Sequence, residues 1–238
     1  MTGVLVNVAT VLIGSTVGLI FKKGISEKYT DAVMKGIGLC TVMIGVQGML
    51  KGENPLVAII AMVIGALIGT ALDIDGKLNG AGDFLSRKLK KGDSDKVSVA
   101  EGFVTASLLF CVGAMTIIGS LESGLKGDHT TIFTKSILDL FSSCMLSASL
   151  GIGVIFAAVF VLIFQGGLVL GAGLIEPILN DSAIAEITCT GSLMILALGL
   201  NLTGLSKFKV ANYFPALVLA PFICFFFDFL GKYIPALA

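Results

Sequence analysis

The sequence predicts an all-α polytopic membrane protein of about eight transmembrane helices, arranged around an inverted-topology repeat. Three observations predict it. Of the 238 residues, 55% are hydrophobic and only 13% are charged, with a mean hydropathy of +0.99. A soluble chain carries about 25% charged residues, so this one cannot cover itself with a solvated surface. Apolar runs of roughly 20 residues, the length that crosses a ~30 Å hydrocarbon core, recur along it. The first three of these runs also resemble the last three.

In chain order the segments are Gly3–Phe21, Ala32–Leu50, Pro55–Leu72, Gly102–Ser120, Phe133–Leu150, Ile152–Ile175, Ala185–Leu205 and Val210–Tyr233. The first has no basic region before it and is long enough to span, so it reads as a retained helix rather than a cleaved signal. The fifth and sixth are separated by little more than Gly151, whose backbone freedom suits a tight turn. A single kinked or re-entrant element there is the alternative to two simple spans. Gly65 and Gly69 have the spacing of a close helix contact, while Gly166–Gly167 and Gly171–Ala172–Gly173 either interrupt the sixth segment or, the more frequent cause of such glycines, serve close packing. Pro221 predicts a kink in the eighth.

Basic residues set the orientation. With the N-terminus outside, the inward side holds Lys22, Lys23, Lys28, Lys35, Lys77, Arg87, Lys88, Lys90, Lys91, Lys96, Lys207 and Lys209. The outward side keeps Lys51, Lys126, Lys135 and Lys232. This bias predicts both termini outside and the polar stretch 75–98 in the cytoplasm. Within that stretch GDFLSRKLKK sets Phe84, Leu85 and Leu89 against four basic residues, as an interfacial helix on anionic lipid or a plain solvated loop would.

The repeat pairs GVLVNVATVLI at Gly3 with GVIFAAVFVLI at Gly153, IGVQG at Ile44 with LGLNL at Leu198, and LDIDGKL at Leu72 with FDFLGKY at Phe227. Gln47 then stands opposite Asn201, and Asp73 opposite Asp228, at offsets of 154 and 155 residues. Repeat one covers about 3–78 and repeat two about 152–234, with central helices over about 100–151 inside one integral membrane domain. Two helices between the copies invert them, a plan common among secondary transporters.

Ionisable side chains are costly in hydrocarbon and normally face a partner, the bundle interior or water. Lys135 and Asp139 are four apart on one helical face and can pair. Ser142, Ser143 and Ser149 continue roughly the same stripe toward the bilayer centre. These groups read either as packing serines beside a self-neutralising pair, or as a polar cavity in which Asp139 and the hydroxyls offer oxygens to an ion or solute. Asn7, Gln47, Gln165 and Asn201 place amides in four different spans, where they serve as interhelical glue or as carbonyl ligands for a cation. Asp73, Asp75, Glu101, Glu176 and Asp228 fall near segment ends, where interfacial solvation accounts for them.

Other chemistries find little support in the sequence. The five cysteines are scattered through five segments without CxxC spacing, and one histidine, His129, cannot complete a zinc site. HExxH, GxSxG and GxGxxG are all missing, which argues against hydrolytic or NAD-dependent catalysis, and no cofactor is expected beyond a coupling ion, Na+ or H+. Six basic residues within 75–98, without interleaved aromatics, do not make a nucleic-acid surface. The expected partners are the lipid bilayer and a small solute or ion, in a plan compatible with a homodimer.

FCVGAMTIIGSLESGLKGD at Phe110, KSILDLFSSCMLSASLGIGV at Lys135, FQGGLVLGA at Phe164, VANYFPAL at Val210 and the opening GVLVNVATVLIGSTVGL resemble a bacterial membrane family. It is the family of domain of unknown function 554, the YdfK/YqgA-like proteins. The resemblance covers nearly the whole chain and is most specific around Lys135 and Asp139. It implies a bacterial inner-membrane protein of transporter type, and it supplies no substrate and no functional residues. The residues alone therefore point to a secondary transporter or facilitator, with a passive channel or a non-transporting scaffold as the alternatives.

Overall fold

A computed structural model of the protein describes residues 1–22, 27–80, 99–112, 114–175 and 179–231. Among these there are helices and no strand. They are α1 (Thr2–Lys22), α2 (Glu27–Met49), α3 (Pro55–Ala71), α4 (Ile74–Gly80), α5 (Val99–Cys111), α6 (Ala114–Leu125), α7 (Thr130–Leu150), α8 (Gly153–Leu170), α9 (Ala172–Ile175), α10 (Asp181–Leu202) and α11 (Phe214–Gly231). A 3-10 turn, Val210–Tyr213, leads into α11. The proposed interfacial helix over 82–91 and Glu176 lie outside the described residues.

Local sequence fixes several helix ends. The Asn54 side chain accepts from the Leu56 N–H and Pro55 opens α3, where its missing N–H costs nothing. Asn180 caps α10 by accepting from the Ala183 N–H, with Asp181 in the first turn. At the other end of α7, Gly151 takes φ 82° and ψ −154°, a conformation open to glycine, and the chain reverses into α8. The fifth and sixth segments are thus two separate helices rather than one kinked element. Gly171 ends α8 and leaves the single turn α9, so the sixth segment is interrupted there, while Gly166 and Gly167 lie within α8 without breaking it.

The fourth segment differs from its expected form. It is two helices, α5 and α6, bent by 60°. The Phe110 carbonyl is taken by the Thr116 hydroxyl at 3.0 Å, which keeps this buried backbone group satisfied across the bend. A second bend of 52° separates α3 from α4 at Asp73, a non-glycine residue at φ 47°. Among the described residues four helices are long and apolar enough to cross a membrane, or up to six if each bent pair is one span. α7 has the length, but Lys135, Asp139 and its serines dilute its apolar character.

Close glycine contacts fix how the helices pack. α1 lies beside α7 in the same direction: a Cβ on Gly14 would fall on the Leu140 carbonyl and Ser143 Oγ, and one on Gly18 on the Cys144 carbonyl. α2 meets α10 head to tail, from Gly38 against Thr203 to Gly52 against Cys189. α3 meets α11 likewise, with Gly65 on Ala216 and Gly69 on the Asn212 carbonyl, the close contact that their spacing predicts. α5 and α6 run along α8, through Gly153 on the Val99 carbonyl and Gly124 on the Val169 carbonyl. Large apolar side chains such as Leu5, Ile13, Ile163, Phe222 and Phe226 cover the outside.

These contacts make a sharp prediction. Gly18→Val has no room because the obstacle is backbone, so it is expected to destabilise the protein by about 3 kcal/mol or more. Gly36→Ala, in a helix with open space around it, is expected to change stability by less than about 1 kcal/mol. Thermal unfolding of both variants in detergent measures the contrast.

Candidate functional site

Three helix ends converge on one polar cluster. Asn7 lies five residues from the start of α1, Lys135 five from the start of α7, and Gln165 five from the end of α8. Each is therefore about 8 Å along its helix from that end of the bundle, and Asp139 is one turn deeper. The parallel packing of α1 on α7 and the reversal into α8 bring these positions together.

Lys135 Nζ donates to Asp139 Oδ2 at 2.5 Å, and the two residues are only 6% and 5% exposed. Asn7 Nδ2 donates to Gln165 Oε1 at 3.1 Å, with both residues fully buried. The Asn7 side chain also interacts with Asp139, which joins the ion pair to the amide pair. Phe110 presents its ring 6.0 Å from Lys135 Nζ, and Cys111 lies near enough to feel both charges. Gln165 Nε2 is buried with no hydrogen-bond partner among the described residues. The cluster is neutral overall, as an ion pair in apolar surroundings must nearly be.

The other sequence candidates lie elsewhere. Ser143 is buried, but it donates to the Leu140 carbonyl at 3.0 Å and packs on Gly14, a helix-contact role. Ser142, the next residue, is exposed, because one position along a helix turns a side chain by about 100°. Gln47 is exposed near the end of α2. Asn201, near the end of α10, clamps the following loop: its Oδ1 accepts from Ser206 Oγ and the Phe208 N–H, and its Nδ2 donates to the Phe208 carbonyl. Ser142, Gln47 and Asn201 therefore do not join Asp139 at one depth, as the sequence suggests they would.

Two buried polar residues escape the sequence reading. Glu186 on α10 is fully buried, and its Oε1 accepts from the Glu53 and Asn54 N–H groups, both at 2.7 Å, at the mouth of α3. Its Oε2 has no partner among the described residues. A carboxylate inside the seventh apolar segment is the signal that marks it. Asn212 accepts from the Asp75 N–H at 2.8 Å and so caps α4, with nothing but an amide in VANYFPAL to indicate it.

Two cavities open away from the cluster. One, of about 370 Å³, is lined by charged and polar groups including Asp75, Glu101, Asn201, Lys207 and Lys209. The other, of about 420 Å³, is almost wholly apolar and lies between α3 and α10. Neither is lined by Asn7, Lys135, Asp139 or Gln165, each of which is at most 6% exposed.

The family model described as "Protein of unknown function (DUF554)" matches residues 2–225. The chain is 34% identical over 229 residues to the "Uncharacterized membrane protein YdfK" of Bacillus subtilis (strain 168), covering 94% of this chain and 96% of that protein. It is 31% identical over 221 residues to the "Uncharacterized protein YqgA" of Escherichia coli (strain K12), covering 92% and 94%. No solved structure matches it significantly.

Proposed function

The chain belongs to the DUF554 family, and from that premise we propose that it is a secondary transporter or facilitator of a small solute or ion in the bacterial inner membrane. One observation carries the proposal: a buried, hydrogen-bonded Lys135–Asp139 pair joined to Asn7 and Gln165 inside an apolar helical bundle. Such a group costs free energy that apolar packing would avoid, so its presence asks for a use. In this reading Asp139 is the coupling carboxylate, Lys135 its internal counter-ion, and the coupling ion is H+ or Na+.

The architecture proposed with it has eight alternating passes, α5 and α6 forming one bent span, with both termini outside. The directions of packed neighbours support this: α1 runs with α7, while α8 runs with α5 and α6. The inverted repeat is supported by the crossing of α2 and α10, where Gly45 rests on Leu196, 151 positions apart, against the sequence offset of 150–155. The pairing of α1 with α7 is answered by that of α8 with α5 and α6.

Flux in proteoliposomes over a panel of ions and small solutes tests the proposal. Wild type is expected to move at least one member in a saturable manner, and Asp139→Asn to change that flux by about tenfold or more. An Asp139→Asn protein that transports like wild type removes Asp139 from the mechanism. Flux linear in the driving force points to a passive channel instead. The scaffold reading has one observation in its favour, the burial of the cluster, and a protein that moves nothing would be that scaffold.

A further inference from the structure

We infer that the Lys135–Asp139 pair is a proton-coupled site for a small monovalent oxyanion, with Gln165 as the second anion donor. The inference rests on the transporter reading and names its substrate class.

Donors and acceptors do not balance in the cluster. Lys135 places one ammonium proton on Asp139 and has no other hydrogen-bond acceptor among the described residues. Gln165 Oε1 is occupied by Asn7, while its Nε2 donates to nothing although it is fully buried. Asp139, in contrast, is engaged by both Lys135 and Asn7. A ligand that completes this set brings acceptor oxygens. A metal or alkali cation would stand beside the Lys135 ammonium, whose like charge opposes it.

Charge decides what travels with the anion. The empty cluster is neutral, Lys135 cationic and Asp139 anionic. An anion entering alone would leave a net negative charge in apolar surroundings, where net charge is heavily penalised. If Asp139 takes a proton from the entry side, Lys135 can pass its ion pair to the anion, and the loaded cluster is again neutral. On the exit side the anion leaves, Asp139 releases its proton to that solution, and the Lys135–Asp139 pair re-forms. One proton and one monovalent anion move together, and no net charge crosses.

Few other titratable groups face the pair. Asn7 from α1 and Gln165 from α8 do not titrate, and α5 offers Cys111. Glu122 of α6 bonds the Thr131 hydroxyl one turn nearer the end of the bundle, at 2.7 Å, and His129 there pairs with Ser123. α2 brings the apolar Met34 and Ile37 against the core cluster to which Leu146 and Leu150 of α7 belong.

The test uses purified protein in liposomes containing a pH-reporting dye, with inward gradients of formate, lactate, nitrate or dihydrogen phosphate. Protein-free liposomes set the background for weak-acid leakage. Wild type is expected to acidify the lumen with at least one anion, at a rate unchanged when the membrane voltage is clamped. Asp139→Asn, which leaves Lys135 beside a neutral partner, is expected to keep anion–anion exchange and lose proton movement by at least about tenfold. Gln165→Leu is expected to stay proton-coupled with a KM for the anion raised about tenfold, and it serves if Asp139→Asn does not fold. Acidification by Asp139→Asn at the wild-type rate overturns the inference. Transport of Na+ or K+ with no effect of any anion overturns it while leaving the transporter reading intact. Liposomes that move no anion and no cation above background overturn both.

Discussion

Lys135→Met is expected to destabilise the protein by about 3–5 kcal/mol, because it leaves Asp139 charged and unpaired among buried groups. The double variant Lys135→Met/Asp139→Leu is expected to recover most of that loss, since replacing a whole buried pair by apolar side chains is often neutral or stabilising. Thermal unfolding in detergent followed by a thiol-reactive dye measures both, because Cys111, Cys189 and Cys224 are buried in the folded protein. Recovery of stability without recovery of flux would separate the pair's cost to the fold from its use. A double variant as unstable as the single one would show that the pair is held for structural reasons.

Glu186→Leu is the second large effect. It removes the acceptor of two backbone N–H groups at the mouth of α3, each left unsatisfied at a cost of about 1–3 kcal/mol, for a loss of about 2–6 kcal/mol. Glu186→Gln keeps an oxygen where Oε1 stands and is expected to lose about half as much. Hydrogen exchange at the Glu53 and Asn54 amides locates the effect: it should accelerate strongly in the leucine variant and little in the glutamine variant. Uniform acceleration along α10 instead would point to general loosening of the bundle.

How legible the molecule was depends on the range of the interaction. Breaks and close contacts follow from neighbouring residues, so the Gly151 turn and the Gly65–Gly69 contact were legible. The Lys135–Asp139 pair was legible for the same reason, being one turn apart on one helix. Beyond that range the sequence offers four amides, and the repeat favours Gln47 and Asn201 over Asn7 and Gln165, the two that the fold brings together. Asn7 and Gln165 meet across 158 positions because α1 packs directly on α8, whereas Gln47 and Asn201 sit within the last few residues of α2 and α10. Ser142 and Ser143 show the finest limit, since adjacent positions on α7 face outward and inward, and only packing against α1 selects between them. The α5–α6 bend was hidden because apolar composition continues through it.

Gly151 has a mechanical consequence. α7 and α8 are joined there by a two-residue reversal, and the polar cluster sits toward the opposite, unjoined ends of the two helices. Asp139 stands about 18 Å from Gly151 along α7, and Gln165 about 21 Å along α8. A change of about 10° in the angle between the helices moves one side chain relative to the other by about 3 Å, a full hydrogen-bond length. Any rotation between the two helices at that reversal would therefore be magnified at Asp139 and Gln165, where a small angle is the difference between a made and a broken hydrogen bond.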